Sequence, residues 1–478
     1  MELRAVIGAI GLFGASTLAH AQAYGQDAGD TEASWTRLEA PRLTGHVQLT
    51  SRDDFIKAGE AYFDPTTGWI IFQAVAPPPE GEAPTEYFEM YVAKLVKDEE
   101  GGITGLDTPI LISEPGSSNT CGWFHPTIPG LVLFGSTTVA PAGHEISGYD
   151  SGRYRWAFPR EMEIVERYIP EIANDIAGIE EIPEEYAGIV DMAKPMFERD
   201  GYTAEGSWSP DGRYVLYAHA DPEKSEARRP DADIWIYDTK TNTHHPIVAE
   251  SGYDGGPFFS PDGRSICYRS DRRHDSLLQL YVSRLQFDGE GTPSRAEEQA
   301  ITANDDVNWA PFWHPSGKLL IYASSEIGHT NYEIFSVEVD RNKTTNELGK
   351  RRITRATDTD ILPVFNADAS LMMWTAQRGP MVAGEDKPSS QLWVADVDPN
   401  ATPSRWFHSI SQTEAIDIAK ATVAAQDGWP DTGLEINARV AEGDVWRIQV
   451  WKLPKGPGTL RVIELSVDGT VLRYITPD

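Results

Sequence analysis

Ser207-Trp208-Ser209-Pro210-Asp211-Gly212-Arg213 runs directly into Tyr214-Val215-Leu216-Tyr217-Ala218. This reads as strand, tight turn, strand. Proline fixes φ, serine or aspartate caps the turn, and glycine supplies a positive φ. The frame recurs in Phe258-Phe259-Ser260-Pro261-Asp262-Gly263-Arg264 before Ser265-Ile266-Cys267-Tyr268, and in Phe312-Trp313-His314-Pro315-Ser316-Gly317-Lys318 before Leu319-Leu320-Ile321-Tyr322. Worn copies begin at Tyr62, Trp123 and Val364. The turn prolines stand at 65, 126, 210, 261 and 315, with Ala367 in the sixth slot, so the gaps are 61, 84, 51, 54 and 52 residues. Gaps near fifty match one four-stranded blade of a propeller.

A third strand-like run follows each hairpin, such as Asp233-Ile234-Trp235-Ile236-Tyr237, and a shorter run often closes the unit. Gln48-Leu49-Thr50-Ser51 has this closing character but precedes the first unit, while the sixth unit lacks a clear closing run. The N-terminal strand is therefore expected to complete the last blade and close the ring, which removes exposed sheet edges. The long gap carries an insertion at about 140–200, expected to pack over one mouth of the ring as loop plus short helix. His125 and His314 take the serine position of the turn and are read as turn-stabilising; His244 and His245 are read as solvated.

The chain has 478 residues, 41 Lys plus Arg and 73 Asp plus Glu, a net charge of −32. That excludes nucleic acid as a partner, because duplex binding needs cations to neutralise phosphates. Residues 1–21 read as a secretory signal peptide: a short uncharged stretch from Ala5 to Leu18, then Ala19-His20-Ala21. No later segment is apolar for long enough to span a bilayer. A soluble, monomeric, periplasmic or extracellular protein is expected. The two cysteines, Cys121 and Cys267, fall in different repeat units and are read as free thiols.

The six hairpins, the Ser-Pro-Asp-Gly turns at 209–212 and 260–263 and the Leu-Thr closing strand resemble the TolB-like six-bladed β-propeller family, over roughly residues 43–400. Gly252-Tyr253-Asp254-Gly255-Gly256-Pro257 and Gly328-His329-Thr330-Asn331-Tyr332-Glu333 are similar to forms met in exported bacterial proteins of this kind. The resemblance implies a fold that hosts many activities. TolB itself carries a small α/β domain before its propeller, and here only about twenty residues (22–42, read as a linker) precede the ring. Past Trp406 the period changes. Ser411-Gln412-Thr413-Glu414 is a capping box, and Ala415, Ile418, Ala419, Thr422 and Val423 recur at helical spacing until Gly428 and Pro430. Strand-like runs follow. This C-terminal region, 411–478, resembles cystatin-like or PepSY-like modules, a likeness that implies peptidase inhibition or envelope binding.

The fold class is thus all-β: a six-bladed propeller over 43–405 with a small C-terminal α+β domain. No Gly-x-Ser-x-Gly elbow, His-Glu-x-x-His or P-loop occurs. One polar residue stands just before each innermost strand: Glu60, Asn119, Glu205, Asp254, Asn308 and Asp360. Convergence on the axis would suit a Ca²⁺ ion or shared protons; capping of strand ends is the plainer reading. His329 is placed near the channel mouth. No cofactor is required otherwise. The sequence favours a non-enzymatic scaffold that binds an unidentified envelope or exported protein. The alternative is a hydrolase or polysaccharide lyase with its site at the channel mouth.

Overall fold

The computed structural model describes residues 32–477, apart from 41, 82, 143–147, 151–152, 156–157, 224–230, 383, 399–405, 408–409, 442–444, 467–468 and 470. The signal peptide call and most of the N-terminal linker call lie outside these residues, as do Gly143-His144-Glu145 and Trp156 of the insertion.

The repeated turn folds as its sequence demands. Ser209 Oγ donates to Asp211 at 2.6 Å and accepts from Tyr214 N at 2.9 Å. Ser260 repeats both bonds with Asp262 and Ser265 at the same distances. In the variant copies Asp64 accepts from the amides of Thr66, Gly68 and Trp69. His314 Nδ1 accepts from Ser316 N at 3.1 Å, and His125 Nδ1 from Ile128 N at 3.0 Å. Burial lowers the pKa of both histidines to about 4, so they serve these turns as neutral rings.

Each hairpin opens a four-stranded antiparallel sheet. The first strands are Lys57–Phe63, Asn119–Phe124, Tyr202–Trp208, Asp254–Phe259, Asn308–Trp313 and Asp360–Phe365. The first sheet has an additional short strand, Ile110–Leu111. Each first strand lies against that of the next sheet, and the sixth lies against the first. Trp69–Val75, Tyr214–Ala220 and their counterparts in the other sheets are buried almost throughout. Such strands have neighbours on both faces. This is a β-propeller. One face of the ring carries the tight first-to-second-strand turns, here the turn face. The other, the loop face, carries the longer second-to-third-strand connections, among them 76–88, 137–162 and 377–390.

The ring closes through the N-terminus. Leu43–Gln48 pairs antiparallel with Gln391–Val397, completing the sixth sheet. The preceding residues, expected as a linker, contain helix α1 (Glu32–Glu39). Trp35 packs edge-on against Trp393, with ring centroids 6.0 Å apart. Glu39 is fully buried and binds Arg378, whose guanidinium also bonds Asp360 from Nε at 2.8 Å. After the last propeller strand, Trp406 is fully buried and packs edge-on against Phe365 at 5.2 Å. Both flanking segments thus insert a tryptophan into the seam between the fifth and sixth sheets.

The stretch expected as an insertion, about 140–200, also holds the third and fourth strands of the second sheet, Glu163–Tyr168 and Lys194–Pro195, and the rest of it divides between the two faces. Phe158 stands edge-on over Tyr202 at 4.7 Å on the loop face. Helix α2 (Pro170–Ala177) lies on the turn face, where Asp175 accepts from Trp69 Nε1 at 2.9 Å and pairs with Lys94. Only the first part reaches a mouth.

In the C-terminal segment the capping box forms as read: Ser411 N donates to Glu414 Oε2 at 2.8 Å and Ser411 Oγ accepts from Glu414 N at 3.3 Å. It starts helix α3 (Gln412–Asp427), which ends at Gly428 with φ +64. Ala415, Ala419 and Val423 pack on Trp446, Ile448, Val450 and Ile463 of a four-stranded antiparallel meander, Leu434–Ala441, Val445–Lys452, Leu460–Ser466 and Val471–Ile475. No helix among the described residues is long and apolar enough to cross a membrane.

Arg378 is fully buried between two carboxylates. Removing one partner of such a group leaves uncompensated buried charge, at a cost of about 3–5 kcal/mol. Arg378→Met should lower the urea midpoint accordingly, whereas Lys455→Met, which breaks an exposed pair with Glu435, should change the unfolding free energy from the same titration by less than about 1 kcal/mol.

Candidate functional site

Every innermost strand carries the same defect. Its ladder slips by a residue at Glu60, Cys121, Glu205, Gly256, Ala310 and Leu362. All six sit in the left-handed region, with φ between 45° and 59°. Five are not glycine, so the fold holds strain of order 1 kcal/mol or more at each. The bulge twists the strand and re-aims a side chain, here toward the axis.

Three of these inward positions are polar and adjacent: Glu60, Cys121 and Glu205. Cys121 Sγ donates to Glu60 Oε1 at 3.0 Å, Thr120 Oγ1 to Glu60 Oε2 at 3.2 Å, and Tyr62 OH to Glu60 at 3.3 Å. Tyr253 OH donates to Glu205 at 2.8 Å and Tyr202 OH at 3.3 Å, and Gly256 N donates to the same carboxylate. Arg269 enters from the second strand of the fourth sheet. Its Nη2 donates to Tyr253 OH at 2.7 Å and to Glu205 Oε2 at 3.4 Å. The ring faces of Tyr253 and Trp309 flank it, each 5.5 Å away. Gly256 makes the passage: a Cβ there would stand 2.3 Å from Arg269 Nη1.

Burial pushes the Glu60 carboxyl up, with Glu205 adding to it against Cys121 and Arg269. Burial also raises the Cys121 thiol, and both glutamates add to that. The thiolate, the nucleophilic form, is therefore disfavoured. Burial works against the charge of Arg269, but Tyr253 and Glu205 outweigh it and hold its pKa above the ordinary value.

The space among these groups is about 20 Å³, lined on its other side by Ala310, Pro311, Leu362 and Pro363. One water needs ~10–15 Å³ by the same measure, so there is room for a water and for no sugar or peptide. Two residues further along each strand, Tyr62, Trp123, Phe258 and Phe312 meet across the axis with centroids 5.0 to 6.4 Å apart. They plug the channel toward the turn face.

The sequence placed six polar residues at one level, but they occupy two. Glu60 and Glu205 reach the axis. Asn119, Asp254, Asn308 and Asp360 open their strands two positions before the bulge, are at most 3% exposed, and are bonded in the seams between sheets. Asn119 Nδ2 donates to Phe88 O at 2.9 Å, and Asn308 Nδ2 to Gln279 Oε1 at 3.2 Å, each on the preceding sheet. Asp254 pairs with Arg272 at 3.0 Å, and burial raises its pKa to about 6. Asp360 holds Arg378. His329 lies on a loop-face connection against Tyr332, with centroids 6.4 Å apart, outside the channel lining. Cys121 and Arg269 belong to the channel set beyond the six residues that the sequence singles out. His244 is half-buried rather than solvated: its Nδ1 meets Tyr217 OH at 2.7 Å, and burial lowers its pKa to about 4. Both cysteines are free thiols.

The channel set fits Ca²⁺ poorly. That ion takes six to eight oxygens, while four of the inward positions, Cys121, Gly256, Ala310 and Leu362, offer no side-chain oxygen, and a guanidinium stands among the carboxylates.

No family model matches the chain. It is 30% identical over 138 residues to dipeptidyl-peptidase 5 of Porphyromonas gingivalis, covering 26% of this chain and 20% of that protein. It is 26% identical over 129 residues to the Tol-Pal system protein TolB of Nitratidesulfovibrio vulgaris, covering 27% of this chain and 25% of that protein. The matched part is thus a fifth to a quarter of these relatives' length. A solved putative TolB from Agrobacterium tumefaciens is similar at 13% identity and a TM-score of 0.39, over 71% of this chain and 90% of that one. The propeller repeat is TolB-like; the PepSY likeness rests on the C-terminal sequence alone.

The raised pKa of Glu60 has a defined sign. Its contribution to stability is full below the ordinary carboxylate pKa and is lost as pH rises through the higher folded value. Glu60→Gln cannot ionise. Urea unfolding from pH 5 to 8 should therefore fall less steeply in the variant than in the wild type; equal slopes would show that Glu60 does not titrate there.

Proposed function

We propose that this protein is an exported, monomeric six-bladed propeller with a small C-terminal α+β domain, acting as a non-enzymatic scaffold for another exported or envelope protein. The observation that supports this reading is the state of the channel. Its carboxylates, thiol and guanidinium bond one another, the remaining space has room for no more than a water, and four aromatic rings plug one end. A channel-mouth enzyme needs a chamber for its substrate and a poised group facing it. Here the thiol is disfavoured as thiolate and Glu205 is engaged by Tyr202, Tyr253, Arg269 and the Gly256 amide.

A rigid ring bearing long loops on one face suits recognition. The relatives include a Tol-Pal system protein and a peptidase, each matched over a quarter of its length or less, so neither whole activity transfers. The channel is further proposed to need no divalent cation.

A tagged mature chain, incubated with envelope extract, should retain a partner in fixed proportion while peptide and polysaccharide panels stay unturned. Turnover of either panel without any retained protein would overturn the scaffold reading in favour of the hydrolase or lyase.

A further inference from the structure

The meander of the C-terminal segment has two faces. One lies under helix α3. The other carries a row of charge across all four strands. Arg439 stands opposite Arg447, Arg447 opposite Glu464, and Glu464 opposite Arg473. Directly opposed residues share a face, and the neighbours on these strands that pack under α3, Ala438, Ile448 and Ile463, are buried. A fourth arginine arrives from α1: Arg37 Nη1 donates to Glu464 Oε2 at 3.2 Å. Arg473 and Arg447 reach the same carboxylate at 3.6 and 4.0 Å.

Glu464 is 11% exposed, while Arg37, Arg447 and Arg473 are 40%, 46% and 49% exposed. Arg439 is exposed as well. One carboxylate therefore meets three guanidinium groups, with a fourth, Arg439, opposite Arg447, in a chain whose net charge is −32. The acids of the adjoining turns, Glu442, Asp444 and Asp468, lie outside the described residues.

The ion pairs at Glu464 tie α1 to this sheet, but they do not account for Arg439. Like charges directly opposite on neighbouring strands destabilise a sheet, and Arg439 and Arg447 are such a pair. A local rule broken without structural compensation marks a functional surface. Guanidinium groups bind carboxylates in bidentate fashion, and strands ~4.8 Å apart spread the row over about 14 Å, the span of a short extended peptide. Free phosphate would engage one or two of these groups. At physiological salt the distant acidic surface is screened within ~8 Å, so the row presents its own local charge.

We propose that this face of the C-terminal sheet, the row Arg37, Arg439, Arg447 and Arg473 around Glu464, docks a carboxylate-rich segment of a partner protein. The proposal rests on the scaffold reading and assigns that partner a chemistry. It predicts that a short labelled peptide of alternating glutamate and serine binds the mature chain in anisotropy titrations, and that binding falls steeply with added salt. The double variant Arg447→Gln/Arg473→Gln, which leaves Arg37 paired with Glu464, should weaken it by about tenfold or more with a melting temperature that falls by no more than a few degrees. Arg439→Gln serves as a milder variant should the double one misfold. Inorganic phosphate and vesicles containing phosphatidylglycerol are the competing probes. No peptide binding, peptide binding indifferent to salt or to the variants, or binding of phosphate or vesicles in place of peptide overturns the proposal. If the envelope partner is retained equally by the variant, the scaffold stands and this docking face does not.

Discussion

A sheet repeated around an axis stays open unless its first and last members are joined, and an open edge invites pairing with other chains. Here the joint is the antiparallel pairing of Leu43–Gln48 with Gln391–Val397. Everything else in the ring presumes it. The bulges point at a common axis only because the sixth first strand meets the first. The buried ionic group of Glu39, Arg378 and Asp360 locks the same joint from the loop face. Trp406 fills the seam near the turn residues His314 and Phe365. A short strand with few ladder bonds is thus held by groups that cannot leave without exposing charge or a large aromatic surface.

The channel follows from the bulges. Replacing regular pairing by a left-handed residue in each first strand costs strain, and the return is a set of side chains aimed inward at one level. Half of that level is polar and half is small or apolar. Gly256 belongs to both descriptions, since its missing side chain admits Arg269 and its amide supports Glu205. The result is a mutually satisfied cluster, consistent with packing in a low-dielectric interior where an unpaired charge is costly.

The repeat was legible because its turn chemistry is strict: Pro, Asp and Gly at fixed offsets declare each hairpin even when single positions drift to Asp64, His125 or Asn366. Ring closure was legible from the surplus strand before the first unit. The level of the site residues was not, because polar residues stand near the strand starts in two registers, five or seven positions before the turn. The turn prolines held the needed ruler. Glu60, Cys121, Glu205, Gly256 and Ala310 each stand five residues before their proline, and Leu362 five before Ala367. Asn119, Asp254 and Asn308 stand seven before theirs. Helix α3 was readable from its capping box, while α1 draws its burial from tertiary contacts at Trp35 and Glu39. The arginine row was illegible without strand register, since Arg439, Arg447 and Arg473 are strangers in sequence until the meander aligns them.

The closing joint also sets an order of events. Leu43 leaves the ribosome early, and its partner Val397 leaves only after nearly the whole ring has been made. Until then the nascent chain carries two unsatisfied strand edges, one at each end of an incomplete cylinder. Pairing across such a sequence distance is slow to find and leaves intermediates prone to misassembly. The short length and charged flanks of the first strand, with Arg42 before it and Arg52 after it, limit what it can pair with while it waits. A truncation that removed only the last propeller strand would free both edges at once, in a molecule otherwise rich in paired sheet.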